Sequence, residues 1–127
     1  MNTIIKRLEN VKKLQAKRWD HEDHWDAIND LLIKELGEIL LIEPQNTAAL
    51  INIGAVYSDM GENETALEYL EMALNFGSED RNLFINLSIV MVYMQMHPEE
   101  YHEYIETAEE KTEDPLTFRA YFDPQSH

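Results

Sequence analysis

The 34 residues from Thr47 to Asp80, TAALINIGAVYSDMGENETALEYLEMALNFGSED, decide how the chain folds. Apolar residues run through them at helical spacing, in two blocks divided at Gly61. Neither here nor elsewhere is there an alternating strand pattern or an Asn-Gly or Asp-Gly hairpin signal. Counted from Thr47 as position 1, Leu50 falls at 4, Ile53 at 7, Gly54 at 8, Tyr57 at 11, Gly61 at 15, Ala66 at 20, Leu70 at 24 and Ala73 at 27. A second copy follows at the same period, with Phe84 at 4, Leu87 at 7 and the small residue Ser88 at 8. Its turn, QMHPEE, is one residue longer; after that shift Tyr101, Ile105 and Ala108 take positions 20, 24 and 27, and Pro115 closes the unit. One period earlier, Trp19 falls at 7, Leu32 at 20, Leu36 at 24, Ile39 at 27 and Pro44 at 32. Repetition at such a period marks stacked supersecondary units that share one core.

This pattern resembles the tetratricopeptide repeat, in which small residues stand where two helices approach closely. On that resemblance Gly54 and Ala66 permit the contact, Tyr57 fills the space beside them and Gly61 turns the chain. The copies depart from the family pattern at Ser78, where proline is usual, at Tyr101, and at Leu32 and Ile39, where small residues are usual. The resemblance implies an all-α fold, a right-handed α-solenoid of antiparallel helix hairpins. Six helices are expected, near 3–20, 24–42, 46–60, 63–77, 79–96 and 98–112. The whole chain, 1–127, is read as one domain, with repeats 13–46, 47–80 and 81–115 and a capping tail at 116–127. Terminal repeats of a solenoid expose an apolar face unless something covers it; Leu116, Phe118, Tyr121 and Phe122 are the residues expected to do so.

Composition narrows the function. The chain has 127 residues, 44% of them apolar, and this is enough for one real core. It has no cysteine, which removes disulfides, zinc–thiolate sites and thiol nucleophiles and fits a reducing, cytoplasmic setting. No long apolar run follows the basic residues of MNTIIKRLENVKK, so no signal peptide is expected. The longest apolar stretch, Leu83 to Met96, is too short to span a bilayer and contains Asn86, Ser88 and Gln95. Charge is placed unevenly. Residues 1–19 carry six basic residues against one acid, a balance of +5; residues 20–127 carry four against 24, a balance of −20. Such a body repels phosphate backbones and steers basic proteins toward itself. The expected partner is therefore another protein of basic character, with no nucleic acid and no membrane.

The stretch WDHEDHWD, Trp19 to Asp26, offers Asp20, His21 and His24 on one helical face, a pair of imidazoles and short carboxylates. It lacks a third histidine and the HExxH spacing of metalloproteases. A turn between the first two helices explains it better, with Asp23 and Asp26 capping the second helix and Trp19 packing on Trp25. A metal-dependent enzyme at Asp20–His24 is the remote alternative. No phosphate-cradling loop or nucleophile elbow is present, so neither catalysis nor a cofactor is expected.

Tetratricopeptide arrays bind extended segments on a concave face formed by the first helix of each repeat. By that resemblance Ala48, Ile51, Asn52, Ala55, Ser58 and Asp59 point inward from the central copy, and Asn82, Ile85, Asn86, Ile89, Val92 and Tyr93 from the next. Asn52 and Asn86 stand one period apart, and their amides can both donate to and accept from a peptide backbone. The fifth helix carries a core stripe, Phe84, Leu87 and Met91, and a second apolar stripe, Ile85, Ile89, Val92 and Met96. A helix apolar nearly all round must be covered, by the ending segment, a second subunit or a partner. Some family members grip a terminal carboxylate with lysines and asparagines; Lys17 and Asn52 fit that set, but His21, Asn82 and Asn86 do not complete it. Two protein-binding functions follow. The favoured one is an immunity-type protein that masks a basic toxin with the acids of the fourth and sixth helices, Glu64, Glu68, Glu71, Glu103 and Glu106. The other is a secretion-type or assembly chaperone holding an apolar extended segment in the groove.

Overall fold

A computed structural model of the chain describes residues 2–121. Six α-helices succeed one another: α1 (Thr3–Ala16), α2 (Trp25–Ile42), α3 (Thr47–Asp59), α4 (Asn63–Asn75), α5 (Arg81–Tyr93) and α6 (Pro98–Glu109). No strand occurs among the described residues. Side chains that bond to the backbone set where several helices begin. The Asn2 amide oxygen accepts from Ile4 and Ile5, that of Asn46 from Ala49 at 2.9 Å, and the Asp80 carboxylate from Asn82 at 3.0 Å. Each satisfies an N–H that the helix itself leaves open. Gly61 and Gly77 follow α3 and α4 at φ of +81° and +89°, the left-handed backbone that glycine enters without steric cost.

Consecutive helices pack against one another as hairpins, α1 on α2, α3 on α4 and α5 on α6, and α3 also packs on α2 and α5. The fold is thus an all-α stack of helix hairpins. The first helix ends earlier than its sequence pattern implies. From Lys17 to His24 the chain makes two short 3-10 turns, one over Lys17–Trp19 and one over Glu22–His24. One cluster of buried side chains joins α1, α2 and α3 around Leu8, Leu36, Ile39 and Ile53. A second joins α3 to α6 around Leu50, Leu70, Leu83 and Leu87. Phe84, Leu87 and Met91 are all buried, as their stripe implies.

Gly54 is the closest approach inside the central hairpin. A β-carbon placed there meets Leu70 Cγ at 2.7 Å and Leu70 Cδ2 at 2.8 Å, with the Ala66 carbonyl oxygen at 3.3 Å. Gly54→Leu is therefore expected to overpack α3 against α4 and to destabilise the fold by about 1–3 kcal/mol. A urea midpoint unchanged from that of the parent chain contradicts this reading.

Candidate functional site

The concave side of α3 and α5 is occupied, and by the chain itself. After α6 the backbone turns and runs without helix from Thr112 to Tyr121 across both helices. Two asparagines hold it. Asn52 Nδ2 donates to the Leu116 carbonyl at 2.9 Å, and its Oδ1 accepts from the Phe118 N–H at 3.0 Å. Asn86 Nδ2 donates to the Phe118 carbonyl at 3.2 Å, and its Oδ1 accepts from the Ala120 N–H at 2.8 Å. Residues 116, 118 and 120 share one parity, and in an extended chain such residues turn their N–H and C=O groups to the same edge. Each amide meets one donor and one acceptor of the main chain, so these clamps hold backbone without reading side chains.

Further bonds fix the two ends of this strap. At its start, Arg81 N–H donates to the Thr112 carbonyl at 3.0 Å. Asn82 Nδ2 donates to Glu113 and to the Thr117 hydroxyl, and that hydroxyl donates to Asp80 Oδ2 at 2.7 Å. Lys12 Nζ reaches across from α1 to the Pro115 carbonyl at 2.6 Å. At Tyr121, the last described residue, the N–H donates to Asp59 Oδ1 at 2.5 Å. Thr117, Phe118 and Ala120 are buried, while Arg119 and Tyr121 face solvent.

Asp59 is the electrostatic pivot of this arrangement. Its side chain is fully buried, and Oδ2 accepts from Arg18 Nη1 at 2.7 Å. Arg18 is itself 1% exposed, donates to Asn29 Oδ1 at 2.9 Å and lies 4.8 Å from the Trp25 ring. Burial pushes the Asp59 carboxyl up to about 6, against the pull of Arg18 and of the Tyr121 N–H, which favour the ionised form. Trp19 packs edge-on against Trp25 at 5.5 Å, and Tyr121 packs against both, so the end of the strap sits in an aromatic clasp.

The sequence-derived groove residues divide three ways. Asn52, Asn86, Asn82 and Asp59 come together on the strap, and Ala55 lies beneath it in the same cluster as Phe118 and Ala120. Ile51 belongs instead to the core, 1% exposed, among Leu50, Leu83 and Leu87. Ile89 is half-buried and packs against the cluster that holds Phe118, whereas Ile85 lines a cavity between α5 and α6. Tyr93 lines a separate crevice with Met94 and the α3–α4 turn. Ile51 thus does not face the groove. Ile51 packs in the core with Leu83 and Leu87 of α5, and Tyr93 is the last residue of α5. Of the tail residues expected to cap the end of the stack, Phe118 is instead buried in the groove among residues of α1, α2 and α3, Leu116 is half-buried and Tyr121 is 42% exposed. Phe122 lies outside the described residues. The acids Glu64, Glu68 and Glu71 on α4 and Glu103 and Glu106 on α6 are all exposed. Sequence reasoning passed over Thr117, Ala120 and Arg18. The first two stand beside Phe118 in the tail already suspected of capping; for Arg18, the only hint was an aspartate among the apolar residues of α3, which needs a cation once buried.

The stretch Trp19–Asp26 carries less than its composition promises. His21 and His24 stack edge-on at 6.2 Å, and His24 Nδ1 approaches Asp23 at 3.4 Å, with both side chains exposed. The expected Asp23–Asp26 cap does not form. α2 starts at Trp25 with His24 at the N-cap and no side-chain cap bond, because the second 3-10 turn, Glu22–His24, takes up Asp23 and moves the helix start past it. No group of three or more histidines and acids able to hold a metal occurs among the described residues. Nor is any described helix long and apolar enough to cross a membrane. Comparison with protein-family models and with curated proteins gives no match, so what the chain does has to be argued from its own geometry.

Proposed function

We propose that the chain is a non-catalytic protein-binding module of the tetratricopeptide type, whose dedicated partner is a basic protein docked on the acidic outer faces of α4 and α6. In that role it masks its partner, as an immunity protein masks a toxin. One observation carries this reading: the groove is already filled from within, while the acids outside it stand unneutralised. Glu64, Glu68, Glu71 and Glu103 are exposed and have no ion-pair partner among the described residues; Glu106 has only His102, at 3.1 Å. Complementary potentials of this kind act mainly on encounter rate and on the choice of partner.

A second reading rests on the asparagine clamps. Because Asn52 and Asn86 hold main-chain atoms, an apolar extended segment of another protein can take the place of 113–121 and meet the same four bonds. That is the action of a secretion-type or assembly chaperone.

Salt separates the two. A partner captured in a pull-down should, on the acidic-face reading, lose on the order of tenfold or more in on-rate between low and high salt. It should bind still more weakly to a Glu64→Lys, Glu68→Lys, Glu71→Lys variant. Binding that ignores salt and is lost on Asn52→Ala with Asn86→Ala instead establishes exchange in the groove.

A further inference from the structure

The two outermost helices of the stack carry matched stripes of opposite charge. On α1 the buried face is Ile4, Leu8 and Val11. Two residues further round, about 200° away, stand Lys6, Asn10 and Lys13, and Lys17 continues the line at the C-cap just past the helix, all exposed. On α6 the packed face is Tyr101, Tyr104 and Ala108. Opposite it stand Glu99, Glu103 and Glu106, and Glu110 continues the line as the C-cap just past the helix, all exposed. Both stripes step by four, three and four residues, and each is about 16 Å long. α1 packs chiefly on α2 and α6 on α5, so both stripes point away from the stack at its two ends. Lys6, Lys13 and Lys17 have no ion-pair partner in the described chain, and neither have Glu99, Glu103 and Glu110.

We propose that a second copy of this chain docks its α1 stripe on the α6 stripe of the first, prolonging the helical stack from copy to copy. Successive helices in the stack run antiparallel, and the stepping reads the same in both directions. An antiparallel match therefore sets Lys6 against Glu110, Asn10 against Glu106, Lys13 against Glu103 and Lys17 against Glu99. The contact is heterologous, so each docked copy presents a fresh α6 stripe, and growth continues unless the rotation closes a ring. The formal charge of −15 on each copy opposes association. That repulsion acts over the whole body and is screened beyond about 8 Å at physiological salt, whereas the paired stripes touch. Exposed ion pairs are individually weak, so assembly belongs to high protein concentration. The α6 stripe is part of the acidic face assigned above to a basic partner, but this inference does not rest on that assignment and is tested with the purified chain alone.

The test is sedimentation velocity of the full chain, from about 0.01 to 1 mM, at salt concentrations from about 0.02 to 1 M. The mean mass should rise with concentration near physiological salt and return to that of a monomer at the highest salt. Lys6→Glu, Lys13→Glu, Lys17→Glu should stay monomeric, and so should Glu99→Lys, Glu103→Lys, Glu106→Lys, Glu110→Lys. Mixing the two variants should restore assembly, because each then supplies the stripe that the other lacks. All these positions are exposed, and helical circular dichroism checks that each variant is folded; if the second variant is not, Glu103→Lys, Glu106→Lys serves in its place. A monomer at every concentration and salt, or assembly that survives either charge reversal, overturns the proposal.

Discussion

Arg18→Met is expected to remove about 3–5 kcal/mol of folding stability near pH 8, the usual loss when one member of a buried ion pair is deleted and the other stays behind. The arginine and its partner Asp59 have side chains 1% and 0% exposed, so water cannot replace the lost contact. The loss should also depend on pH in a definite sense. In the parent chain the Asp59 carboxyl titrates at about 6, against 3.8 for the free group. Between these values the folded chain holds a proton that the unfolded chain has released. This group's contribution to stability is therefore fullest below about pH 4 and falls as pH rises through 6. Arg18 is one of the influences that lower the Asp59 value. Without it the carboxyl keeps its proton to higher pH, and the cost of the substitution should shrink as the solution is acidified. Urea unfolding of both chains at about pH 5 and 8 measures this; a loss independent of pH removes Asp59 from the account.

Phe118→Ala should cost a similar amount, about 3–5 kcal/mol, the range for deleting a buried aromatic ring. Phe118 is 5% exposed and belongs to the same cluster as Leu8, Leu36 and Ile53, so its loss opens a cavity between the strap and three helices. The effect should be visible apart from stability. Both tryptophans of the chain, Trp19 and Trp25, pack on Tyr121 at the end of the strap. Loosening the strap should therefore shift tryptophan emission toward that of water-exposed indole under conditions where the helices remain formed. Arg119→Ala, one residue along and exposed, is the control and should stay within about 0.5 kcal/mol of the parent. Unfolding at the parent midpoint shows the strap to be dispensable, and a control that falls as far as the variant shows that the burial of the Phe118 ring is not the cause.

The stack was legible in the sequence because its cause is local. Apolar positions recur at a fixed interval, and Gly54, Ala66 and Gly61 stand among them in the central copy, each marking a contact or turn within one hairpin. The asparagines were legible for the same reason, as two residues one period apart on an otherwise apolar face. What they hold was not. Asn52 bonds a segment 66 residues away, and neither spacing nor composition distinguishes an internal strap from a foreign peptide. The need for a cover could be read from α5, apolar on two sides, but Ile85, Ile89 and Val92 fit a tail, a subunit or a partner equally well. Ile51 was misplaced because the repeat pattern assigns a direction to each position from an ideal hairpin. The core that α3 shares with α5 takes up Ile51. Asp23 was misread as a cap because a 3-10 turn displaces the helix start, which residue preference alone does not register.

The strap also sets an order of events. The hairpins close over short stretches of chain, whereas the strap joins residues 62, 66 and 103 apart, at Asp59–Tyr121, Asn52–Phe118 and Lys12–Pro115. Bringing such distant residues together carries a larger entropic barrier, and contacts of this separation form late. The helices are therefore expected to assemble first, with Asn52, Asn86 and Asp59 still wet and the groove still open, an order that pulsed hydrogen exchange of the Phe118 and Ala120 amides would test. The molecule's slowest folding step and its easiest partial opening are then the same movement, made in opposite directions.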